Sequence, residues 1–189
     1  MLQRPGLAGV VLLLLAMVVL QWVGPEALRY QPVHIAGGEL WRLVTGHWVH
    51  ANWVHLGLNA AGLVLCWALT EVAWKPHQWG WRIVVLSLGI SALMMLFGPD
   101  SGWYVGFSGV LFGLYVLAAI DSLPRQRMMA SALLAIIGVK IILDMMPSVN
   151  MNSSDLIGVP VLVEAHLYGV VVALMIVVLG RVLGLFSIK

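Results

Sequence analysis

The sequence predicts an all-α membrane protein, a bundle of six transmembrane helices forming one domain over residues 1–189. Three observations predict it. The hydrophobic set AVILMFWYC supplies 61% of 189 residues and the charged set 10%, whereas soluble domains run at about 45–50% apolar and about 25% charged. A mean hydropathy of +0.99 excludes a water-soluble single core. The apolar residues also fall in six runs divided by short polar stretches, the pattern expected when lipid is the burying medium. Finally, Gly98-Pro99, Pro124 and Pro147 sit at breaks between runs, where proline cannot continue a helix. Six spans leave no room for a separate soluble domain. A net charge of +2, scattered along the chain, gives no footprint for nucleic acid. Cys66 is alone, so an internal disulfide and a cysteine metal cage are both excluded.

The first span is expected at 7–23, behind Arg4. A signal peptide has the same outline, but Val23-Gly24-Pro25-Glu26 is a poor small-residue cleavage site, so a retained anchor is expected. Residues 24–50 form the one long connection, rich in Leu, Val and Trp and poor in charge, which suits a loop lying on the membrane surface. The second span, 53–70, carries His55 and Asn59 on one helix face. The third, 83–97, stops at Gly98-Pro99. The fourth, 105–120, follows a glycine-rich approach and opens with Gly106-Phe107-Ser108-Gly109. The fifth, 128–146, holds Lys140 and, one turn further on, Asp144. The sixth, 160–185, contains Ala165-His166-Leu167-Tyr168-Gly169. Between the last two, the polar stretch Asn150 to Asp155 is placed as an outer loop gating access.

Basic residues set the orientation. With the N-terminus inside, Arg4, Lys75, Arg82, Arg125, Arg127, Arg181 and Lys189 fall on the inner side, and only Arg29 and Arg42 on the outer. Both termini are therefore expected in the cytoplasm. Eight tryptophans near the span ends, including Trp22, Trp41, Trp53, Trp74, Trp79 and Trp103, read as interfacial anchors.

Polar side chains inside the spans carry the chemistry, because a hydroxyl, imidazole or amide in hydrocarbon seeks a partner or a wet cavity. In this orientation spans two, four and six run the same way, which puts His55, Ser108 and His166 in one outer layer. Gly109 and Gly113 have GxxxG spacing, and Ala165 and Gly169 are small residues four apart, so spans four and six can pack closely. That contact would bring Ser108 towards His166, the base that a weak serine nucleophile needs. A helix starting at Ser108 would aim unpaired backbone N–H groups at a developing oxyanion, with His55 and Asn59 as further donors. Each group also has a plain structural reading: a serine bonded to its own helix, a histidine serving as a hydrogen-bonding strut. Lys140 in mid-span calls for a partner, with Asp144 on its own face and Glu164 at a similar depth. It reads either as a structural ion pair or as a group fixing the fifth helix beside a substrate entrance. Histidines 47, 50 and 55 lack an HExxH string or a carboxylate cluster, so no metal is expected.

At these residues the sequence resembles the rhomboid intramembrane serine proteases. The matching strings are Trp41-Arg42, HWVHANWVHLGLN from His47 to Asn59, GFSG from Gly106 to Gly109, and AHLYG from Ala165 to Gly169, in the family's order. The resemblance implies a rhomboid-like six-span fold and a Ser-His dyad with no third acidic member, no cofactor and no metal. Ser108 is then the nucleophile, His166 the general base, His55 and Asn59 oxyanion donors, and His50 a support for the loop region. Gly106 and Gly109 then join the oxyanion and substrate-binding site, and Phe112, Gly169, Lys140, Asp144, Trp41 and Arg42 are supporting residues. The implied substrate is a membrane-anchored protein cut in or near its transmembrane segment, within the lipid bilayer, with the site opening outwards. The string GHWVHANWVHLGLN, the short chain, EAHLYG and Lys140 with its acid at 144 are similar to the rhombosortase branch. That likeness implies a bacterial inner membrane and removal of the C-terminal Gly-Gly-type anchor of secreted proteins. Two departures stand out: Phe112 replaces a tyrosine common in the family, so it can stack but not donate, and Tyr168 stands where glycine is frequent. The alternative from another class is an inactive rhomboid-like protein that binds membrane helices, whose mark would be loss of Ser108 or His166.

Overall fold

The computed structural model describes residues 6–70, 74–98, 102–146 and 154–183. Arg4, Pro99, Pro147, residues 150–153 of the polar loop, the end of the sixth expected span and Lys189 lie outside the described residues. The first helix, α1 (Leu7–Val23), starts after Gly6 at φ 91° and stops at Gly24 at φ 100°, a backbone that glycine adopts without steric penalty. The connection that follows holds three short helices. Two of them, α2 (Pro25–Leu28) and α3 (Pro32–Ala36), begin with proline, whose fixed φ suits a first helical turn; α4 (Arg42–Thr45) closes the segment. In α5 (Trp53–Leu69) the Asn52 side chain caps the start by accepting from the His55 N–H at 2.9 Å. Beyond it lie α6 (Pro76–Phe97), α7 (Ser108–Ser122), α8 (Arg127–Asp144), the short α9 (Ser154–Ile157) and α10 (Glu164–Val182). Among the described residues there is no strand, only a two-residue bridge between Tyr30 and Tyr104.

Helix α7 is the hub. Val110, Leu114, Ala118 and Ala119 on it are fully buried, with α10 along one side, α5, α6 and α8 around the rest, and α1 outside against α5 and α6. Gly109, Gly113 and Gly169 make the α7–α10 contact this close. A Cβ on Gly109 would lie 2.7 Å from the Ala165 carbonyl oxygen, and one on Gly169 would run into the carbonyl of Gly109. Between helices in lipid the driving force is such packing and hydrogen bonding rather than the hydrophobic effect. The outward faces are correspondingly apolar: Leu12, Val19, Ile136 and Val178 are all about 60% exposed, a surface that suits lipid and not water. By length and composition α6 and α10 are long and apolar enough to cross a membrane, while α1, α5 and α7 are shorter apolar helices.

Helix boundaries depart from the hydropathy pattern at three places, each for a local reason. The third helix begins at Pro76, not Ile83, because Arg82 is accommodated inside it: its guanidinium donates to the Gln78 carbonyl at 3.1 Å, approaches Asp121 at 3.6 Å and lies over the Trp74 and Trp81 rings. The fourth begins at Ser108 because Gly106 turns the chain at φ 126° and its N–H is bonded to the Gly46 carbonyl, leaving Phe107 as the residue that caps the helix. The sixth begins at Glu164, leaving 160–163 outside the helix. Trp74 and Trp79 are also not surface anchors. They are 5% and 1% exposed and pack edge-to-face, and the Trp74 indole donates to Asp121 at 2.7 Å.

Candidate active site

Where α7 starts, the chain makes a turn that only glycine tolerates. Gly106 sits at φ 126°, and a Cβ there would lie 2.7 Å from Cε1 of His55. The preceding strand-like residues are clamped to the 24–50 connection. Tyr30 and Tyr104 exchange backbone hydrogen bonds of 3.0 and 2.9 Å, and the Gly106 N–H donates to the Gly46 carbonyl at 3.2 Å. The Tyr104 hydroxyl then donates to the Gly106 carbonyl at 2.7 Å. This places Ser108 as the first residue of α7, where the opening N–H groups have no intrahelical acceptor.

Two further helices converge on that serine. His166, on the first turn of α10, brings Nε2 to 3.0 Å from the Ser108 hydroxyl oxygen. Its other ring nitrogen, Nδ1, is 2.9 Å from Oδ2 of Asp144 at the end of α8, and Oδ1 of the same carboxylate is held by Lys140. Phe112, one turn down α7, stacks on the imidazole with centroids 4.5 Å apart and planes at 14°. Stacking therefore survives the missing hydroxyl, as a phenyl ring alone supplies it. Gly109 and Gly169 are the contact points that let α7 and α10 come this near.

Helix α5 packs against α7 beside the Gly106 turn. His55 is 6% exposed with its ring against Gly106, and Asn59 lies one turn deeper, donating one amide hydrogen to the His55 carbonyl at 3.0 Å. His50 meets the His55 ring edge-on at 5.0 Å. It is held by Gln21 of α1, whose side chain accepts from the His50 N–H at 2.8 Å and donates to its carbonyl at 3.0 Å. Burial pushes the His50 imidazole down to about 3, with the neighbouring His55 adding to the effect, and burial likewise brings His47 to about 3. Both are neutral struts at physiological pH. His47 bonds Ser91 at 3.0 Å, and the Ser91 hydroxyl reaches the Leu43 carbonyl at 2.7 Å.

Trp41 and Arg42 lie away from this cluster. Trp41 is half exposed, whereas the buried Arg42 is a clamp for the connection, donating to Glu39 at 2.6 Å and to the carbonyls of Glu26 and Arg29 at 3.1 and 2.9 Å. The Arg42 hydrogen bond holds the exposed Glu39 carboxyl below its ordinary range. Sequence reasoning missed Gln21, Tyr30, Tyr104 and Ser91, each a polar group that matters through a distant partner. It found Asp144 only as the partner of Lys140, although the expected orientation puts the end of the fifth span in the same layer as His166. Among the described residues no group of three or more His, Cys, Asp or Glu side chains is arranged to hold a metal ion.

Residues 37–182 match the model of the rhomboid domain. The chain belongs to the rhomboid family. Rhomboid proteins are integral membrane proteins and in general intramembrane serine proteases acting on membrane protein substrates. Among curated proteins, this rhomboid chain is 31% identical over 111 residues to RHOMBOID-like protein 6, mitochondrial, of Arabidopsis thaliana, covering 59% of this chain and 36% of that one. It is 32% identical over 116 residues to RHOMBOID-like protein 2 of the same plant, covering 58% and 36%. The match thus spans about a third of the length of either relative.

Proposed function

We propose that this rhomboid is an active serine endopeptidase, with Ser108 as nucleophile and His166 as base, that cuts a membrane-anchored protein in or near its transmembrane segment. The observation that carries the reading is the 3.0 Å approach of His166 Nε2 to the Ser108 hydroxyl across two separate helices, within hydrogen-bond reach for proton transfer. Nε2 takes the hydroxyl proton as Ser108 Oγ bonds to the substrate carbonyl carbon. The oxyanion is met by the free N–H groups at the start of α7, with His55 and Asn59 beside them. Collapse of this intermediate breaks the peptide C–N bond, and the imidazolium passes its proton to the leaving amine. Water then attacks the acyl-enzyme with the same base, releasing the acid and the free Ser108 hydroxyl.

The long helices α1, α5, α6, α7, α8 and α10 are taken as six crossings with both termini cytoplasmic. Ser108 then opens to the outer, periplasmic face of a bacterial inner membrane. The irregular backbone of 104–107 supports a serine sunk below the surface, since such backbone at membrane depth is tolerated only where protein satisfies it, and here Tyr30 bonds Tyr104 and Gly46 bonds Gly106. The EAHLYG string and the Lys140–Asp144 pair favour a rhombosortase-like substrate, a secreted protein whose Gly-Gly-tailed C-terminal helix is removed.

The test is co-expression with a Gly-Gly-tailed reporter, alongside fluorophosphonate labelling of the purified protein. Wild type is expected to release the reporter and take the label. Ser108→Ala and His166→Ala are expected to lose about 10⁴-fold or more of the activity. Labelling or release that persists in Ser108→Ala would overturn the assignment.

A further inference from the structure

We infer that Asp144 is a positioning residue for His166, so that the fifth long helix supplies the third member of a Lys140–Asp144–His166–Ser108 chain in place of an unassisted dyad. The inference rests on the serine protease reading above. It stands on geometry that the protease reading does not require. The Asp144 side chain is 2% exposed, and its two oxygens are divided between two donors, Nδ1 of His166 at 2.9 Å and the ammonium of Lys140 one turn earlier on α8. A buried carboxylate is costly unless both its oxygens are engaged, and this one is engaged on one side by the base itself. Helix α8 packs chiefly along α7, yet it sends this one side chain across to α10.

The chemical consequence concerns which imidazole nitrogen carries the proton. A neutral imidazole has one donor and one acceptor nitrogen. Ionised Asp144 can only accept, so Nδ1 keeps its hydrogen and the Nε2 lone pair faces the Ser108 hydroxyl. Phe112 fixes the plane of the ring by stacking at 14°, but stacking leaves the ring free to turn within that plane. The carboxylate removes that freedom. When Nε2 takes the serine proton, the positive charge forms against Asp144, which holds it without taking a proton. Lys140, with its side chain 37% exposed, keeps Asp144 charged and aimed while its ammonium reaches outwards along the helix.

The experiment compares wild type, Ser108→Ala, Asp144→Asn, Lys140→Met and the Asp144→Asn/Lys140→Met pair in detergent. The maximal fluorophosphonate labelling rate and the concentration for half-maximal rate are read separately, with a thermal melt for each protein. Asp144→Asn is expected to lower the maximal rate about 10²- to 10⁴-fold and leave the half-maximal concentration unchanged. Lys140→Met is expected to cost about tenfold alone and nothing further in the Asp144→Asn background, because it acts through Asp144. In wild type, isotope-labelled histidine should show a far-downfield Nδ1 proton that is absent from Asp144→Asn, a signature that a merely structural carboxylate would not give. Asp144→Asn labelling within about threefold of wild type while Ser108→Ala is inert would overturn this inference and leave the protease reading intact. Absence of the downfield proton from wild type would overturn it without any variant. Labelling of Ser108→Ala would instead sink the protease reading itself.

Discussion

At Gly106 a single hydrogen atom in place of a side chain decides whether the serine can be presented. The φ of 126° and the 2.7 Å approach of a notional Cβ to the His55 ring mean that alanine would meet both backbone strain and a side-chain collision. Gly106→Ala is expected to cost about 1–3 kcal/mol from strain alone and to slow fluorophosphonate labelling as Ser108 shifts. Gly138 in the middle of α8 is the control, with open space where its Cβ would point. Gly138→Ala should be neutral or stabilise by up to about 1 kcal/mol, the ordinary helix preference for alanine. A melting temperature equal for the two variants would contradict the account.

Among the elements, the 24–50 connection does more than join two helices. Its Tyr30 and Gly46 hold the approach to α7, its His50 abuts His55, and Arg42 keeps its own fold closed. This element has a pH sensitivity whose sign follows from burial. His47 and His50 are held neutral with values pushed from 6.5 down to about 3, so the unfolded chain binds protons first as pH falls. Stability is therefore full above about pH 6.5 and is lost progressively towards pH 3. Between about pH 7 and 5.5 each histidine should remove about 1 kcal/mol. Thermal melts at the two pH values should show the lower temperature under acid, and a flat or rising profile would refute the neutral, buried assignment.

Much of this level was legible in the sequence. The 7–23 helix, the start of the helix at Trp53 and the glycine pattern joining α7 to α10 follow from hydropathy and small-residue spacing. The approach of Ser108 to His166 follows from their common depth together with the small-residue spacing of spans four and six, and they are neighbours here. What escaped were side chains whose partners lie far along the chain. Gln21 reaches His50 across 29 positions, and no local pattern encodes such a pairing. The third helix was read too short because Arg82 counts against a span in any hydropathy window, although two indole rings and Asp121 accommodate it.

For the whole molecule, the expected crossing pattern is open to direct mapping because Cys66 is fully buried. In a Cys66→Ala background, Gly38→Cys should react with an impermeant maleimide added to spheroplasts, whereas Arg125→Cys should react only after lysis. The same result for both positions would refute the six-crossing arrangement. Finally, the pair Ser108 and His166 is separated by 58 positions and sits on different helices, the base arriving on α10. On the proposed protease reading, synthesis makes the nucleophile well before its base, and Ser108 meets no imidazole at Nε2 until α10 has docked against α7.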